Sequence, residues 1–180
     1  MVLLLECLAA LIVFGFFTVM TYGASEKTIT KLEKLCRNPI IGVALSLPCA
    51  LLCVPLAIPV SPGFLIKLLY PLAIILPIAS YFYLDHYAAR GVAFFMILMA
   101  YDVVHAGFEL HIPGAPVVTV AALFLGCIGI WIAAKPCTLR DIFRKSAASP
   151  VWKYCSTAVG VIGLLTGFYM LTVIIGVFGK

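Results

Sequence analysis

The sequence predicts an all-α fold, a polytopic transmembrane helical bundle of about six spans, and three observations carry that expectation. Hydrophobic residues fill 64% of the 180 positions and charged residues 11%, against roughly 45–50% and 25% in a soluble domain. The apolar residues fall in runs of about 20, the length with which a helix crosses a hydrocarbon core about 30 Å thick. The basic residues are confined to a few short connections, as in loops that set orientation in a bilayer. Six such runs with their connections occupy residues 1–180 as one integral membrane domain, so any chemistry is expected between helices or at the membrane surface.

The first run, Val2 to Gly23, has no basic n-region of the kind a secretory signal carries, and is expected to stay as a span. The polar stretch Ala24 to Asn38 sets Ile29, Leu32 and Leu35 at three-residue spacing between Lys27, Lys31, Lys34 and Arg37, a short helix lying in the interface. Span two, Ile40 to Val60, turns at Ser61-Pro62-Gly63 into span three, Phe64 to Leu84, so these two should be antiparallel neighbours. The polar run Asp85 to Arg90 leads to span four, Gly91 to Leu110, and the turn His111 to Pro116 leads to span five, Val117 to Ala134. In the second basic loop, Lys135 to Tyr154, Thr138 and Asp141 have capping-box spacing for a short amphipathic helix through Lys145 that Ser149-Pro150 ends. Cys155 to Phe178 forms the last span. Trp131, Trp152, Tyr154 and Tyr22 fall near one interface, as in an aromatic belt.

Orientation follows from the basic residues. The first connection holds Lys27, Lys31, Lys34 and Arg37, the third Arg90, and the fifth Lys135, Arg140, Arg144, Lys145 and Lys153, while the other side holds only Lys67 and Lys180. Ten against two predicts both termini external and the basic loops cytoplasmic, as in a bacterial plasma membrane. The net charge of +5 lies in loops beside apolar spans, which speaks for the bilayer as partner and against nucleic acid. The seven cysteines are odd in number and lie in or beside spans, including Cys49 and Cys53 on one face of span two, so they read as small buried apolar residues. The two halves share no pattern, so the internal repeat common in transporters is missing.

Span four carries Asp102, His105 and Glu109 within an arc of about 60°, one polar stripe on the helix. An ionisable residue inside a membrane is a functional-site hypothesis by default. Glu6 of span one reaches a similar depth from the same side, so Glu6, Asp102, His105 and Glu109 are expected to form one cluster facing into the bundle. Such a cluster either fixes helix packing or forms a proton or cation path. Asp102 and His105 have the spacing of a metal-binding pair, but a dimetal site needs a second pair and none exists. His86 belongs at the opposite surface from His105 and His111, which argues against a bis-histidine haem. No cofactor and no metal is expected.

The segment Asp85-His86-Tyr87-Ala88-Ala89-Arg90, followed by Asp102, resembles in part the signature of the CDP-alcohol phosphatidyltransferases, six-span enzymes of phospholipid synthesis. The resemblance implies carboxylates that bind metal ions. It departs from the family where Phe82 replaces the first Asp and His86 the Gly, where Asp102 falls one position short, and where the final Asp is missing.

Pro48, Pro55, Pro59, Pro62, Pro71 and Pro77 crowd spans two and three, giving either a bent hairpin or broken helices that line a cavity. Ala122 and Gly126, and Gly163 and Gly167, have the small-xxx-small spacing that lets helices approach closely, within the chain or with a protein partner or second copy. With no soluble domain, nucleotide motif or complete catalytic set, the favoured function is an accessory or scaffold subunit of a membrane complex. The alternative is a small transporter or proton- or cation-conducting protein using the span-four stripe, and a membrane-embedded phospholipid-synthesis enzyme is the remote third.

Overall fold

A computed structural model describes residues 2–109 and 115–178. All regular structure among them is helical: α1 (Val2–Tyr22), α2 (Glu26–Arg37), α3 (Pro39–Ala57) with a 3₁₀ turn at Ile58–Val60, α4 (Gly63–Tyr83), α5 (Tyr87–Glu109), α6 (Ala115–Ala134), α7 (Cys137–Ala148) and α8 (Pro150–Phe178). Five segments are long and apolar enough to cross a membrane, namely Pro39–Val60, Gly63–Tyr83, Tyr87–Glu109, Pro116–Ala134 and Pro150–Gly176, and Glu6–Tyr22 is a shorter apolar helix. Most of the expected turn His111 to Pro116 lies outside the described residues, as does Lys180.

Several boundaries differ from those expected, each for a local reason. The run Asp85 to Arg90 is mostly helical: α5 starts at Tyr87, because Ala88 and Ala89 are strong helix formers and both are buried. The Thr138–Asp141 capping box does not form. Pro136 precedes the first turn of α7 with no side-chain cap, Thr138 is buried, and Asp141 accepts from Arg140 Nη2 at 3.1 Å. A capping box closes α2 instead, where the Ser25 backbone N–H donates to Thr28 Oγ1 at 2.9 Å. The last helix begins at Pro150, so Trp152, Lys153 and Tyr154 are helical; extended Ser149 is the break, and proline is well suited to a first helical position. The interior prolines leave α3 and α4 continuous, and the cavities described below are lined by neither helix.

Two helix pairs form the bundle. In the α1–α8 pair, Gly163 lies under the Phe14 ring with no room for a Cβ, and a Cβ on Gly167 would meet Ala10 Cβ at 3.3 Å. In the α5–α6 pair, a Cβ on Gly126 would fall 2.8 Å from Ala100 Cβ, and Ala122 is fully buried. The small residues singled out in sequence thus serve contacts inside the chain. Gly160 against Thr18 and Gly129 against Ala93 and Met96 extend the same two seams.

Helix α3 packs on α5, and α4 packs extensively only on α3 among the described residues. A tyrosine ties the three together. Tyr87, at the start of α5, donates from its hydroxyl to the Pro77 carbonyl of α4 at 2.9 Å, and the same oxygen bonds to Ser46 Oγ of α3. Its ring occupies the space that a side chain on Gly42 would need.

The amphipathic helices lie together at one end. Leu32 and Cys36 of α2 and Leu139 and Phe143 of α7 are buried, Glu33 pairs with Arg144, and the Phe143 ring sits 6.0 Å from that of Phe17. Lys145 lies 4.5 Å over the Trp152 ring and Lys153 5.1 Å over Tyr22, so aromatic and basic residues alternate around this end.

These seams set a sharp expectation for Gly163. Gly→Ala in a helix interior gains about 1 kcal/mol of propensity, whereas overpacking costs about 1–3 kcal/mol. Gly163→Ala should therefore destabilise the protein in detergent unfolding. Gly176→Ala, with nothing within 4 Å of the added methyl, should not, and Phe14→Leu should relieve part of the Gly163→Ala defect.

Candidate functional site

The four residues of the expected cluster separate into two pairs. Glu6 is 8% exposed and lines a small void between α1, α5 and α8 with Asp102, Cys7, Ala10, Met99 and Gly167. The side chains of Glu6 and Asp102 thus face one another across this void, and Asp102 Oδ2 is buried with no donor among the described residues. His105 and Glu109 form their own pair, Nδ1 to Oε2 at 3.3 Å, on the exposed surface of α5, with the His105 ring tilted against Tyr101. Helix geometry explains the split. Positions 102 and 105 lie on adjacent rows of the helix, and α1 packs over only the Asp102 row.

A second, larger cavity of about 250 Å³ lies between the α1–α8 and α5–α6 pairs, with α7 lining it at the basic end. Phe14, Met96, Ile132 and Leu139 form its buried wall, while Trp131, Trp152, Lys135 and Lys145 line its exposed side. Along α1 the lining of the acidic void ends at Ala10 and that of this cavity begins at Val13, so about one helical turn separates them. No sequence signal marks this cavity, because its lining comes from five helices.

At the α4–α5 junction His86 takes a left-handed backbone conformation, φ 55°, and its carbonyl accepts from the Arg90 N–H at 3.3 Å. Its imidazole is held below the usual histidine range, first by burial and then by Arg37, Arg140 and Arg90, with Asp85 opposing. His86 Nδ1 and Arg90 Nε are buried without partners among the described residues. Burial also pushes the Cys36 thiol up to about 12, aided by Glu33. Of the remaining cysteines, Cys7 and Cys49 are buried, Cys53 and Cys137 half-buried, and Cys127 and Cys155 exposed.

No group of three His, Cys, Asp or Glu side chains suited to a metal ion occurs among the described residues. The partial phosphatidyltransferase pattern is not drawn into one site. Asp85 lies in the turn before α5, whereas Asp102 lies roughly 22 Å along that helix at 1.5 Å per residue. No protein-family model matches the sequence, and no curated protein or solved structure is significantly similar to it.

His86 gives a pH expectation. Its folded-state pKa is lowered, so the neutral ring favours the fold above the ordinary value of about 6.5, and that contribution is lost as pH falls below it. Thermal unfolding in detergent should show stability falling from pH 7 towards pH 5, and His86→Asn, which tolerates positive φ, should flatten the decline.

Proposed function

We propose that this chain is a small six-span membrane carrier that takes up protons at the Glu6–Asp102 pair, from the side opposite its basic loops. The carrying observation is two carboxyl side chains lining one small void inside an apolar bundle, with Asp102 Oδ2 buried and without a donor among the described residues. If both were ionised, two acceptors would face each other at a desolvation cost of several kcal/mol. A proton shared between them turns the acceptor–acceptor contact into a hydrogen bond and removes one of the two buried charges. A multivalent metal ion would want further ligands, and no such group is gathered among the described residues. His105, one turn further along α5, acts electrostatically on Asp102 and stands on the exposed side, a route by which protons could reach the pair.

The proposed membrane is a bacterial plasma membrane, with both termini external and α2 and α7 at the cytoplasmic face. Cys137 reports on this orientation; Cys36 does not, being 2% exposed and weakly ionised. In a variant retaining Cys137 alone, an impermeant thiol reagent should label only opened cells. Labelling of intact cells would reverse the orientation.

Glu6→Gln and Asp102→Asn keep side-chain shape while removing the exchangeable charge. Both should fold, and in proteoliposomes both should lose the pH-gradient-driven proton flux that the wild type shows. Equal flux in wild type and variants, or none in the wild type, would reject the carrier reading.

A second reading, an accessory subunit of a membrane complex, is favoured by one observation: α4 has one extensive neighbour among the described residues, and Leu68, Leu72 and Ile75 stand exposed along one side of it. A partner held there should co-purify at fixed stoichiometry from native membranes and be lost when these three residues are replaced by alanine.

A further inference from the structure

We infer that the cavity between the two helix pairs binds an anionic phospholipid from the leaflet at the basic end, part of one acyl chain inside and the headgroup at Lys135 and Lys145. The inference stands apart from the proton-carrier reading, since it concerns a different cavity and different residues. The cavity is built like an amphiphile. Its deep wall is apolar, from Phe14, Met96 and Ile132, and its exposed side carries the two lysines and two tryptophans. Trp131 and Trp152 are the residue type that sits at headgroup level, so the opening falls where a lipid's polar and apolar parts meet.

Charge selects the headgroup. One carboxylate, Asp141, also lines the cavity, but it already accepts from Arg140 at 3.1 and 3.3 Å. Lys135 has no ion-pair partner among the described residues, and Lys145 has only the Trp152 ring. Volume selects how much of the lipid enters. At about 250 Å³ the space is below the roughly 300 Å³ at which ligand pockets begin, too small for two chains and a headgroup but enough for part of one chain.

The test uses the full-length protein in a mild detergent. Photo-crosslinking with phosphatidylglycerol carrying a diazirine in one acyl chain should label the cavity-lining segments of α1, α5, α6 or α8, read by mass spectrometry. Excess unlabelled phosphatidylglycerol should compete about tenfold better than phosphatidylcholine, as expected for two lysines beside an anionic headgroup, and inorganic phosphate should not compete. Lys135→Gln with Lys145→Gln should abolish the preference, whereas the double arginine variant should keep it. Val159→Phe, which fills the apolar part, should remove labelling by both lipids. Labelling spread evenly over the exposed surface, equal competition by the two lipids, or displacement by phosphate alone would each overturn the inference, and none of these three readouts requires a variant that folds.

Discussion

Close contact between helix backbones is the constraint on which this bundle rests. Lipid tails are as apolar as leucine, so helices in a membrane gain little hydrophobic energy by meeting, and van der Waals packing has to hold them. Gly163 beneath Phe14 and Gly126 against Ala100 supply it in the two seams. Everything else is placed by these seams. The α1–α8 seam carries Glu6 to the depth of Asp102, and the space between the seams, where side chains are too short to fill it, is the larger cavity.

Polar groups are then sorted by how costly they are to leave unpartnered. Hydroxyls are satisfied locally: Thr18, Thr166 and Ser156 donate back to carbonyls of their own helices, and Ser146 meets Ser156 at 2.7 Å. Charged groups lie mostly at the basic end, where Arg140 and Arg144 form ion pairs and Lys145 and Lys153 lie against aromatic rings. Glu6 and Asp102 break this pattern, since Glu6 and Asp102 Oδ2 are buried in the apolar body beside the same small void. Such an exception to the general economy of polar groups is where function is best sought.

The helical class and five helices long and apolar enough to cross a membrane were legible because hydropathy and length decide them with little help from tertiary context. The two amphipathic helices were legible for the same reason, their apolar residues recurring at helical spacing. What sequence could not supply is which neighbour each face meets. The arc arithmetic grouped Asp102 with His105 and Glu109 correctly on one helix, yet only the position of α1 separates the inward carboxyl from the outward pair. Tyr87 was hidden in a polar run, since its role depends on Ser46 and Pro77, far from it in sequence and brought together by the α3–α4 hairpin. Glycine spacing marked Gly163 as an interface residue but did not reveal the aromatic ring that it seats.

The Tyr87 tie has a consequence for how the protein is made. Membrane chains emerge from the ribosome N-terminus first, so α4 leaves the ribosome before the tyrosine that fastens it does. During that interval α4 has only α3 to lean on, and the Pro77 carbonyl lacks its hydroxyl donor. The hairpin is therefore provisional until α5 arrives, and the arrival of a single side chain at the start of α5 converts a loosely held arm into part of the finished protein. Quality control in the membrane would meet its most exposed substrate in a released chain truncated between residues 83 and 87.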